Sequence, residues 1–401
     1  MQKTRAKKCS KPLEPEESLC CCEYIDRNGE KSHLVACCCD CQDLDDACDR
    51  WFKCKSLQPG TLEHVTATVS DRLRIPWFAG AKKVDISILP PLLLLPVFLH
   101  IAALHILFTA IVLVSLPILV LWYYYLTHRK KGQTLFFLSL GLFSLGYMYY
   151  TFVSVVVPRG NIGTLQLIFI TGGLLLTLIA LAQAKEGPGY LVKKNSGFLP
   201  PSKEAATWSS NNKESNGTSR LVMENWCNVC KLERPPRTGH CRICDACVSR
   251  LDHHCVWINS CVGEQNHRAF IMTLLLFLFT SVYGIYLTLE TVCIGSSPLI
   301  ALIYCPGVYS DYSSAFSFAC VWYCAIVTAG MGHLCIIQLI NISYNVTERE
   351  ARIALREEIG RKYLWGLIVD TGQYNHGFLK NWKEFLTMKS PQSRHKVEDL
   401  I

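Results

Sequence analysis

The sequence predicts an all-α polytopic membrane protein, with six transmembrane helices and a small cytosolic two-zinc cysteine-rich domain between spans four and five. Three observations lead to this fold. Half of the 401 residues are apolar and only 18% are charged, which is typical of membrane proteins. Several apolar runs are long enough to cross a bilayer. Between them, a polar stretch holds seven cysteines from Cys227 to Cys261 at metal-ligand spacing.

The first apolar region, 84–126, is too long for one crossing. As a single helix it would extend roughly 60 Å at ~1.5 Å per residue, about twice the ~30 Å hydrocarbon core. We therefore expect two spans, 84–103 and 106–126, whereas a single span would leave the N-terminus outside. His100 and His105 lie in this hairpin, where they either face other helices, mark the turn, or act as functional intramembrane groups.

Four further apolar runs complete the transmembrane region, which is expected to comprise spans 1–4 over 84–183 and spans 5–6 over 270–340. The four runs are 134–157, 163–183, 270–293 and 316–340. Lys and Arg are concentrated after spans two and six, so the positive-inside rule places both termini and the cysteine-rich domain in the cytosol. We expect a membrane of the Golgi or endoplasmic reticulum, or the plasma membrane.

The polar regions outside the spans are an N-terminal region, 1–83, a linker, 184–224, and a C-terminal tail, 341–401. The N-terminal region is expected to be flexible. Its cysteines either bind metal, carry fatty acyl chains themselves, or are incidental thiols. The net charge of +8 suits anionic lipid head groups or a phosphate-bearing ligand, and no basic groove or stacking motif indicates nucleic acid.

The cysteine-rich domain, 225–269, contains cysteine pairs two residues apart. Such a pair forms a tight knuckle in which both thiolates can reach one zinc ion at ~2.3 Å. Seven cysteines and four nearby histidines are available. Two closed tetrahedral sites need eight ligands, so some thiol or imidazole must be left over. Thiol-based metal sites indicate a reducing compartment, and metal binding is expected to fold this small domain.

The run Asp252-His253-His254-Cys255, within this spacing, resembles the signature of the DHHC protein acyltransferases, or palmitoyltransferases. The preceding run from Arg234 to Cys241 also matches the family pattern. The resemblance covers about 84–385, without the linker. It implies two interleaved zinc sites, one of Cys227, Cys230, His240 and Cys247, and the other of Cys241, Cys244, His254 and Cys261. Cys255 and His253 then remain free.

The resemblance implies a protein S-palmitoyltransferase. Cys255 would attack the thioester of a long-chain acyl-CoA, with palmitoyl-CoA as the donor, and pass the acyl group to substrate proteins with membrane-proximal cysteines. His253 would take the thiol proton or pair with the thiolate, and Asp252 would orient His253. Two other functions are weaker. A zinc-dependent adaptor leaves the spare Asp-His-His-Cys residues unexplained, and a transporter would carry more ionisable groups within its spans.

Three flanking motifs depart from the family pattern or extend it. Glu186-Gly187-Pro188-Gly189 stands where the family has Asp-Pro-Gly. Thr347-Glu348-Arg349-Glu350 stands where it has Thr-Thr-x-Glu, so the second Thr is missing. A charged, amphipathic helix is expected over 349–362, where Glu350 either has a specific role or is simply solvated. The motif around Asn381-Trp382 is expected to pack the tail against the membrane domain.

Two binding predictions complete the sequence analysis. Basic residues around the cysteine-rich domain bind either the phosphates of coenzyme A or anionic lipid; they are Lys231, Arg234, Arg237, Arg242, Arg250 and Arg268. The chain ends Glu398-Asp399-Leu400-Ile401, and a terminal Ile with an acidic residue two positions earlier resembles one class of PDZ-domain ligand. The alternative is an ordinary tail that ends in Ile by chance.

Overall fold

The computed structural model divides the chain into two compact units, Met1–Pro90 and Pro91–Ile401. The described residues are 22–25, 31–33, 48–50, 52–53, 71–78, 80–130, 134–191, 226–363 and 368–388, without the side chains of 126–130. Most of the N-terminal cysteines, most of the predicted linker and the C-terminal PDZ motif lie outside these ranges. The expectations for those segments stay predictions.

Two β-hairpins make up much of the described part of the first unit. Strands β1 (Glu23–Ile25) and β2 (Lys31–His33) pair in antiparallel fashion, as do β3 (Arg74–Ile75) and β4 (Lys82–Lys83). The guanidinium of Arg74 lies 4.0 Å from the centre of the Tyr24 ring, so a cation–π contact joins the two hairpins. The flexibility predicted for 1–83 as a whole stays a prediction.

Seven helices form or connect the apolar bundle of the second unit. They are α1 (Leu89–Ala102), α2 (Ile106–Lys130), α3 (Phe136–Thr151), α4 (Thr164–Lys185), α5 (His267–Val292), α6 (Pro298–Ile303) and α7 (Tyr312–Ser343). Helix α3 continues through a π-helical and a 3-10 turn to Arg159. Among the described residues, five helices are long and apolar enough to cross a membrane. They begin at Ile106, Phe136, Thr164, His267 and Tyr312.

The first of the six predicted spans corresponds to a shorter apolar segment, Ile86–Ala102, which includes a 3-10 turn before α1. It forms a tight hairpin with α2, in which Thr109 Oγ1 donates to the Ala102 carbonyl at 2.6 Å. His105 caps the start of α2 by accepting the Leu107 N–H at 3.2 Å. His100 contacts the hydroxyl of Tyr312 at 2.7 Å. One histidine thus marks the turn and the other faces a neighbouring helix.

Helices α4 and α5 pack closely because a glycine lies at their crossing. A Cβ at Gly173 would come within 2.3 Å of Thr280 Oγ1, so only glycine fits without a shift of Thr280. Hydroxyls in these apolar helices donate to carbonyls one turn earlier, as Thr177 does to Gly173 at 2.7 Å. Such hydroxyls are thereby satisfied without water, whereas Thr280 Oγ1 is buried without a hydrogen-bond partner.

The cysteine-rich domain is joined to the bundle by the turn after α4. The Ser249 N–H donates to the Gly189 carbonyl at 2.9 Å, and Asn266 donates to the Ala184 carbonyl at 2.6 Å. Gly263 allows this approach, since a Cβ there would lie 2.5 Å from the Pro188 carbonyl oxygen. The Glu186–Gly189 motif therefore serves as the docking turn of the domain, despite its inserted residue.

The C-terminal region consists of α8 (Glu348–Glu357), an antiparallel pair of β11 (Arg361–Tyr363) and β12 (Ile368–Asp370), and α9 (Phe378–Thr387). The prediction of one helix over 349–362 was wrong at its end, because Glu358 adopts a left-handed conformation that stops α8. Asn381 donates to the Ser343 carbonyl at 2.8 Å, and Trp382 Nε1 donates to Ser343 Oγ. This motif packs the tail on the end of α7, as expected.

Candidate active site

Three short antiparallel hairpins build the cysteine-rich domain. They pair β5 (Trp226–Cys227) with β6 (Leu232–Glu233), β7 (Gly239–Cys241) with β8 (Ala246–Val248), and β9 (His253–Cys255) with β10 (Ser260–Val262). Their tight turns place non-glycine residues in the left-handed region, as at Lys231 and Asp245. The first two turns bring Cys227 near Cys230 and Cys241 near Cys244, and the third hairpin places His254 opposite Cys261.

The first ligand cluster gathers the four residues that the family resemblance assigned to one zinc ion: Cys227, Cys230, His240 and Cys247. The three sulfur atoms lie 3.8, 3.3 and 3.9 Å from His240 Nδ1. A tetrahedral zinc site with ordinary bond lengths has sulfur–nitrogen edges of about 3.5 Å. The other ring nitrogen of His240 lies 3.6 Å from Asp245, the kind of carboxylate contact that orients a metal-binding imidazole.

The second ligand cluster contains Cys241, Cys244, His254 and Cys261. The sulfur atoms lie 3.7, 3.3 and 3.7 Å from His254 Nδ1. Two of the sulfurs are 3.6 Å apart, where a tetrahedral zinc site has a sulfur–sulfur edge of about 3.8 Å. Both clusters therefore fit a four-coordinate zinc ion.

Alternation along the strands explains how the clusters interleave. Successive side chains of a strand point to opposite faces, so His240 and Cys241 on β7 enter different clusters. The same alternation acts on β9. His254 turns toward its cluster, opposite Cys261 on β10, whereas His253 and Cys255 share the other face. Within Asp-His-His-Cys, His254 thus faces its ligand cluster, whereas its two neighbours, His253 and Cys255, face the other way.

The face of β9 that points away from the second ligand cluster carries the predicted catalytic residues. His253 Nδ1 lies 2.7 Å from Asp252 Oδ2, which leaves Nε2 for Cys255. Burial opposes the charged form of His253, but hydrogen bonds to Asp252 and Cys255 raise its pKa well above the ordinary value. Burial likewise opposes the charge on Asp252, yet its bond to His253 holds the pKa of the carboxyl below its ordinary value. The geometry favours a carboxylate–imidazolium pair next to a thiol.

Asp252 is 1% exposed, and apart from His253 the groups that bond to its carboxylate come from distant segments of the chain. Its Oδ1 accepts the backbone N–H of Glu348 at 2.9 Å, and its Oδ2 also accepts Gln338 Nε2 at 3.0 Å. Gln338 Oε1 in turn lies 2.8 Å from His267 Nε2. Sequence reasoning missed Gln338 and His267. A lone polar residue within an apolar run was the one available signal, and it does not identify a partner.

The Thr347–Glu350 motif contributes to the site in two ways. Glu350 forms an ion pair with Arg237 at 2.8 Å, so it is engaged rather than simply solvated. Glu348, which stands in the place of the family's second Thr, brings a side-chain oxygen to 3.4 Å from His253 Nδ1. The departure from the family motif therefore lies beside His253, the histidine predicted to be catalytic.

Cys255 lies where the cysteine-rich domain meets the apolar bundle. It is 4% exposed and belongs to a buried cluster with Phe270, Ile271 and Leu274 of α5 and Cys335 of α7. An apolar chain attached to Cys255 would therefore have helices α5 and α7 as its neighbours.

At least three of the six basic residues near the domain form hydrogen bonds within the protein. Arg237 donates to Asn345 and Glu350, Arg250 donates to Asn345 at 3.0 Å, and Arg268 donates to the Leu386 carbonyl at 2.9 Å. These three have structural roles. Lys231 and Arg242 stay candidates for phosphate contact, as does Arg234, which also has a partner within the protein.

Comparison with known proteins agrees with this site. The family model of the DHHC palmitoyltransferases matches residues 222–354, which include both ligand clusters and the Asp-His-His-Cys run. Palmitoyltransferase ZDHHC23 of Mus musculus is 58% identical over the whole length of both chains. The Homo sapiens protein of that name is also 58% identical, over 93% of this chain and 98% of its own length.

A more distant vertebrate relative extends the similarity. Palmitoyltransferase ZDHHC23-B of Danio rerio is 53% identical over 98% of this chain and 99% of its own length. Identity of this degree over whole chains includes the transmembrane region as well as the cysteine-rich domain. The chain therefore belongs to the DHHC palmitoyltransferase family and is a membrane-embedded protein S-palmitoyltransferase.

Proposed function

We propose that Cys255 is the nucleophile of a two-step acyl transfer from palmitoyl-CoA to protein cysteines. One observation carries the proposal. Of the seven cysteines between Cys227 and Cys261, all of which the structure describes, six belong to the two ligand clusters and Cys255 does not. It shares its strand face with His253, which is the arrangement that an activated thiol nucleophile requires.

In the first step, the Cys255 thiolate attacks the carbonyl carbon of the acyl-CoA thioester. The carbon–sulfur bond to coenzyme A breaks, and the departing thiolate takes the proton that His253 holds. In the second step, a substrate cysteine gives its proton to His253 and attacks the acyl-enzyme. The Cys255 thiolate leaves and pairs again with the imidazolium. Asp252 keeps Nδ1 of His253 occupied, so that Nε2 handles the proton in both steps.

Two structural zinc ions are proposed to be bound by the eight cluster residues. These are Cys227, Cys230, His240 and Cys247 for one ion, and Cys241, Cys244, His254 and Cys261 for the other. The distances between their sulfur and nitrogen atoms support this assignment, because they are close to the edge lengths of a tetrahedral zinc site. Bound zinc would supply folding energy and hold β9 in place. Because His254 is committed to its cluster, the strand can present its neighbours His253 and Cys255 in a fixed orientation.

We also infer that the chain crosses the membrane six times, with both termini and the cysteine-rich domain in the cytosol. His100, near the end of α1, contacts Tyr312 at the start of α7. At the other end of the bundle, Phe137 of α3 packs on Trp257 of the cysteine-rich domain. Between these ends, Leu95 and Leu99 of α1 share a buried cluster with Leu140 of α3 and Phe316 of α7. This packing supports a crossing by α1, although Ile86–Ala102 is about 25 Å long at ~1.5 Å per residue.

The substrates are proposed to be proteins with cysteines close to the membrane, since Cys255 lies at the level where the cysteine-rich domain meets the bundle.

A Golgi, endoplasmic reticulum or plasma membrane location stays a prediction. So does the PDZ ligand at Glu398–Ile401. A peptide of the last eight residues should bind a PDZ domain, and removal of Ile401 should abolish that binding. Failure across a broad PDZ panel would exclude it.

Incubation of the purified full chain with labelled palmitoyl-CoA tests the proposed nucleophile. Cys255→Ser should form no acyl-enzyme. His253→Ala should form it more slowly, by roughly 10²–10⁴-fold, because a positioned base contributes about that much. Both variants should keep two zinc ions. Labelling of Cys255→Ser at the normal rate would show that the nucleophile lies elsewhere.

A further inference from the structure

The catalytic histidine faces two carboxylates rather than one. His253 Nδ1 lies 2.7 Å from Asp252 Oδ2 and 3.4 Å from Glu348 Oε2. The three groups lie within 4.8 Å of one another. Asp252 belongs to the motif from which the site was predicted, whereas Glu348 lies almost a hundred residues later in the chain. Nothing in the two-step scheme above uses its side chain.

The backbone fixes the position of Glu348. It is the first residue of α8, and its N–H donates to Asp252 Oδ1 at 2.9 Å. A reciprocal capping box holds that helix end, since the Thr347 side chain accepts from the Glu350 N–H and the Glu350 side chain accepts from the Thr347 N–H. The side chain of Glu348 therefore starts from a rigid point next to the site.

One turn along α8, Arg352 determines which oxygen of the Glu348 carboxylate faces His253. Arg352 forms an ion pair with Oε1 of Glu348. This leaves Oε2 as the oxygen that faces His253. The Glu348 side chain is 21% exposed, and that of Arg352 is 72% exposed. Glu348 thus lies between the buried catalytic pair and the solvent.

We propose that Glu348 is a second carboxylate partner of His253, a positioning residue that holds the imidazole with Nε2 toward Cys255 during acyl transfer. The inference rests on the proposed function of Cys255 and His253. Where the family motif has Thr, a neutral side chain would face the ring. In this chain, a carboxylate oxygen lies 3.4 Å from Nδ1 and helps to hold the ring in the orientation that acylation of Cys255 requires.

The contribution of Glu348 should be smaller than that of Asp252. Asp252 is fully buried and bonded through both oxygens, so it sets the orientation of the ring. Glu348 is longer, partly exposed, farther from Nδ1 and shared with an arginine. Its removal should slow the chemical step without disturbing the binding of the donor.

The test is single-turnover acylation of the full chain by labelled palmitoyl-CoA over a range of donor concentrations. Glu348→Gln keeps the shape and the backbone N–H but removes the charge. We expect its maximal acylation rate to fall about tenfold, a fraction of the loss from removing the base itself, with half-saturating donor concentration and zinc content unchanged. Glu348→Thr, which restores the family residue, should fall to a similar extent, and Glu348→Asp should recover part of the rate.

Glu357→Gln is the matched control, because it removes one negative charge from the same helix at its exposed end. A Glu348→Gln rate equal to wild type, or no lower than that of Glu357→Gln, would overturn the inference. So would loss of zinc, a change confined to donor affinity, or a Glu348→Asp variant no faster than Glu348→Gln. Cys255→Ser, run alongside, separates the two hypotheses. If it is inactive while Glu348→Gln is normal, only the role of Glu348 fails.

Discussion

The two ends of the helical bundle use cysteine in different ways. At one end, six cysteines of the cysteine-rich domain form the two ligand clusters and a seventh, Cys255, faces His253. At the other end, Cys293 and Cys305 form a disulfide in the loop between α5 and α7. Helix α5 separates the two ends by 26 residues, or about 39 Å at ~1.5 Å per residue. Metal-binding thiols need a reducing compartment, whereas disulfides persist in an oxidising one.

This difference gives the membrane orientation a chemical basis that is independent of the distribution of Lys and Arg. If the cysteine-rich domain is cytosolic, the loop with Cys293 and Cys305 faces the lumen or the cell exterior. A cytosolic cysteine-rich domain and a lumenal or extracellular disulfide loop both agree with the topology proposed above. The four predictions below test this contrast, from the largest expected effect to the smallest.

Loss of a cluster ligand is expected to have the largest effect. Cys244→Ser should remove zinc and abolish acyl-enzyme formation, because structural zinc supplies roughly 10–16 kcal/mol of apparent binding free energy to domains of this kind. Metal analysis of the purified protein and acylation with labelled palmitoyl-CoA measure the two losses.

Cys305→Ser is the control at the other end of the bundle, since it makes the same replacement outside the cysteine-rich domain. It should keep two zinc ions per chain and most of the acylation. A Cys244→Ser protein with two bound zinc ions would contradict the proposed ligand sets.

Gln338 tests whether α7, which runs between the two ends, supports the active site. Gln338→Met should reduce the acylation rate by roughly 10–100-fold, because a buried hydrogen bond to a charged group is worth about 1.5–3 kcal/mol. Zinc content should not change. Thr328→Val is the control, because Thr328 lies on the same helix as Gln338. The replacement removes a 2.6 Å hydrogen bond to Ser281 of α5, away from Asp252. Equal rates for the two variants would rule out a role for Gln338 at Asp252.

The predictable parts of the molecule were those with local signatures. Apolar length indicated the spans, and the spacing from Cys227 to Cys261 indicated a metal domain, because knuckle ligands lie close in sequence. The family motif then divided the ligands, and the structure brings the same residues together. Helix α1 is shorter than the predicted span 84–103, since the apolar run includes a 3-10 turn and a hairpin turn.

The parts that could not be predicted depend on contacts between distant segments. Gln338 is 86 residues from Asp252, and a single glutamine in an apolar helix has no periodicity or spacing that indicates a partner. The orientation of Glu348 toward His253 likewise follows from the docking of α8. The pairing of Cys293 with Cys305 requires the loop conformation, and five cysteines in the last apolar segments allow several pairings.

The disulfide itself should affect stability more than activity. Loss of Cys305 opens a loop whose closure is worth about 3 kcal/mol in the chain-entropy model, so Cys305→Ser should unfold at lower temperature. In sealed vesicles, the freed Cys293 should react with a membrane-impermeant maleimide only from the side opposite the cysteine-rich domain. Labelling from the same side as that domain would contradict the proposed orientation.

The contact between the cysteine-rich domain and α8 is ionic, so, unlike the disulfide, it should weaken in acid. Burial opposes the charge on Glu350, but its bonds to Arg237 and Thr347 lower the pKa of this carboxyl below its ordinary value. A carboxyl with a lowered pKa in the folded state stabilises the protein above the pKa of the unfolded state. The stabilisation is lost as the pH falls through the folded-state pKa.

Glu350→Gln should therefore have the smallest and the most pH-dependent effect. At pH 7 we expect the variant to be less stable by about 1–2 kcal/mol, since the pair is partly buried and Arg237 would lose its charged partner. The deficit should shrink as the pH falls below about 4.3, the ordinary pKa of glutamate, because the wild-type carboxyl also becomes neutral. Thermal unfolding of both proteins from pH 7 down to about pH 3, which extends below the ordinary pKa of glutamate, measures it. A deficit that stays constant over this range would mean that Glu350 acts by shape rather than by charge. In Cys305→Ser, whose lost bond carries no charge, a constant deficit is the expected result.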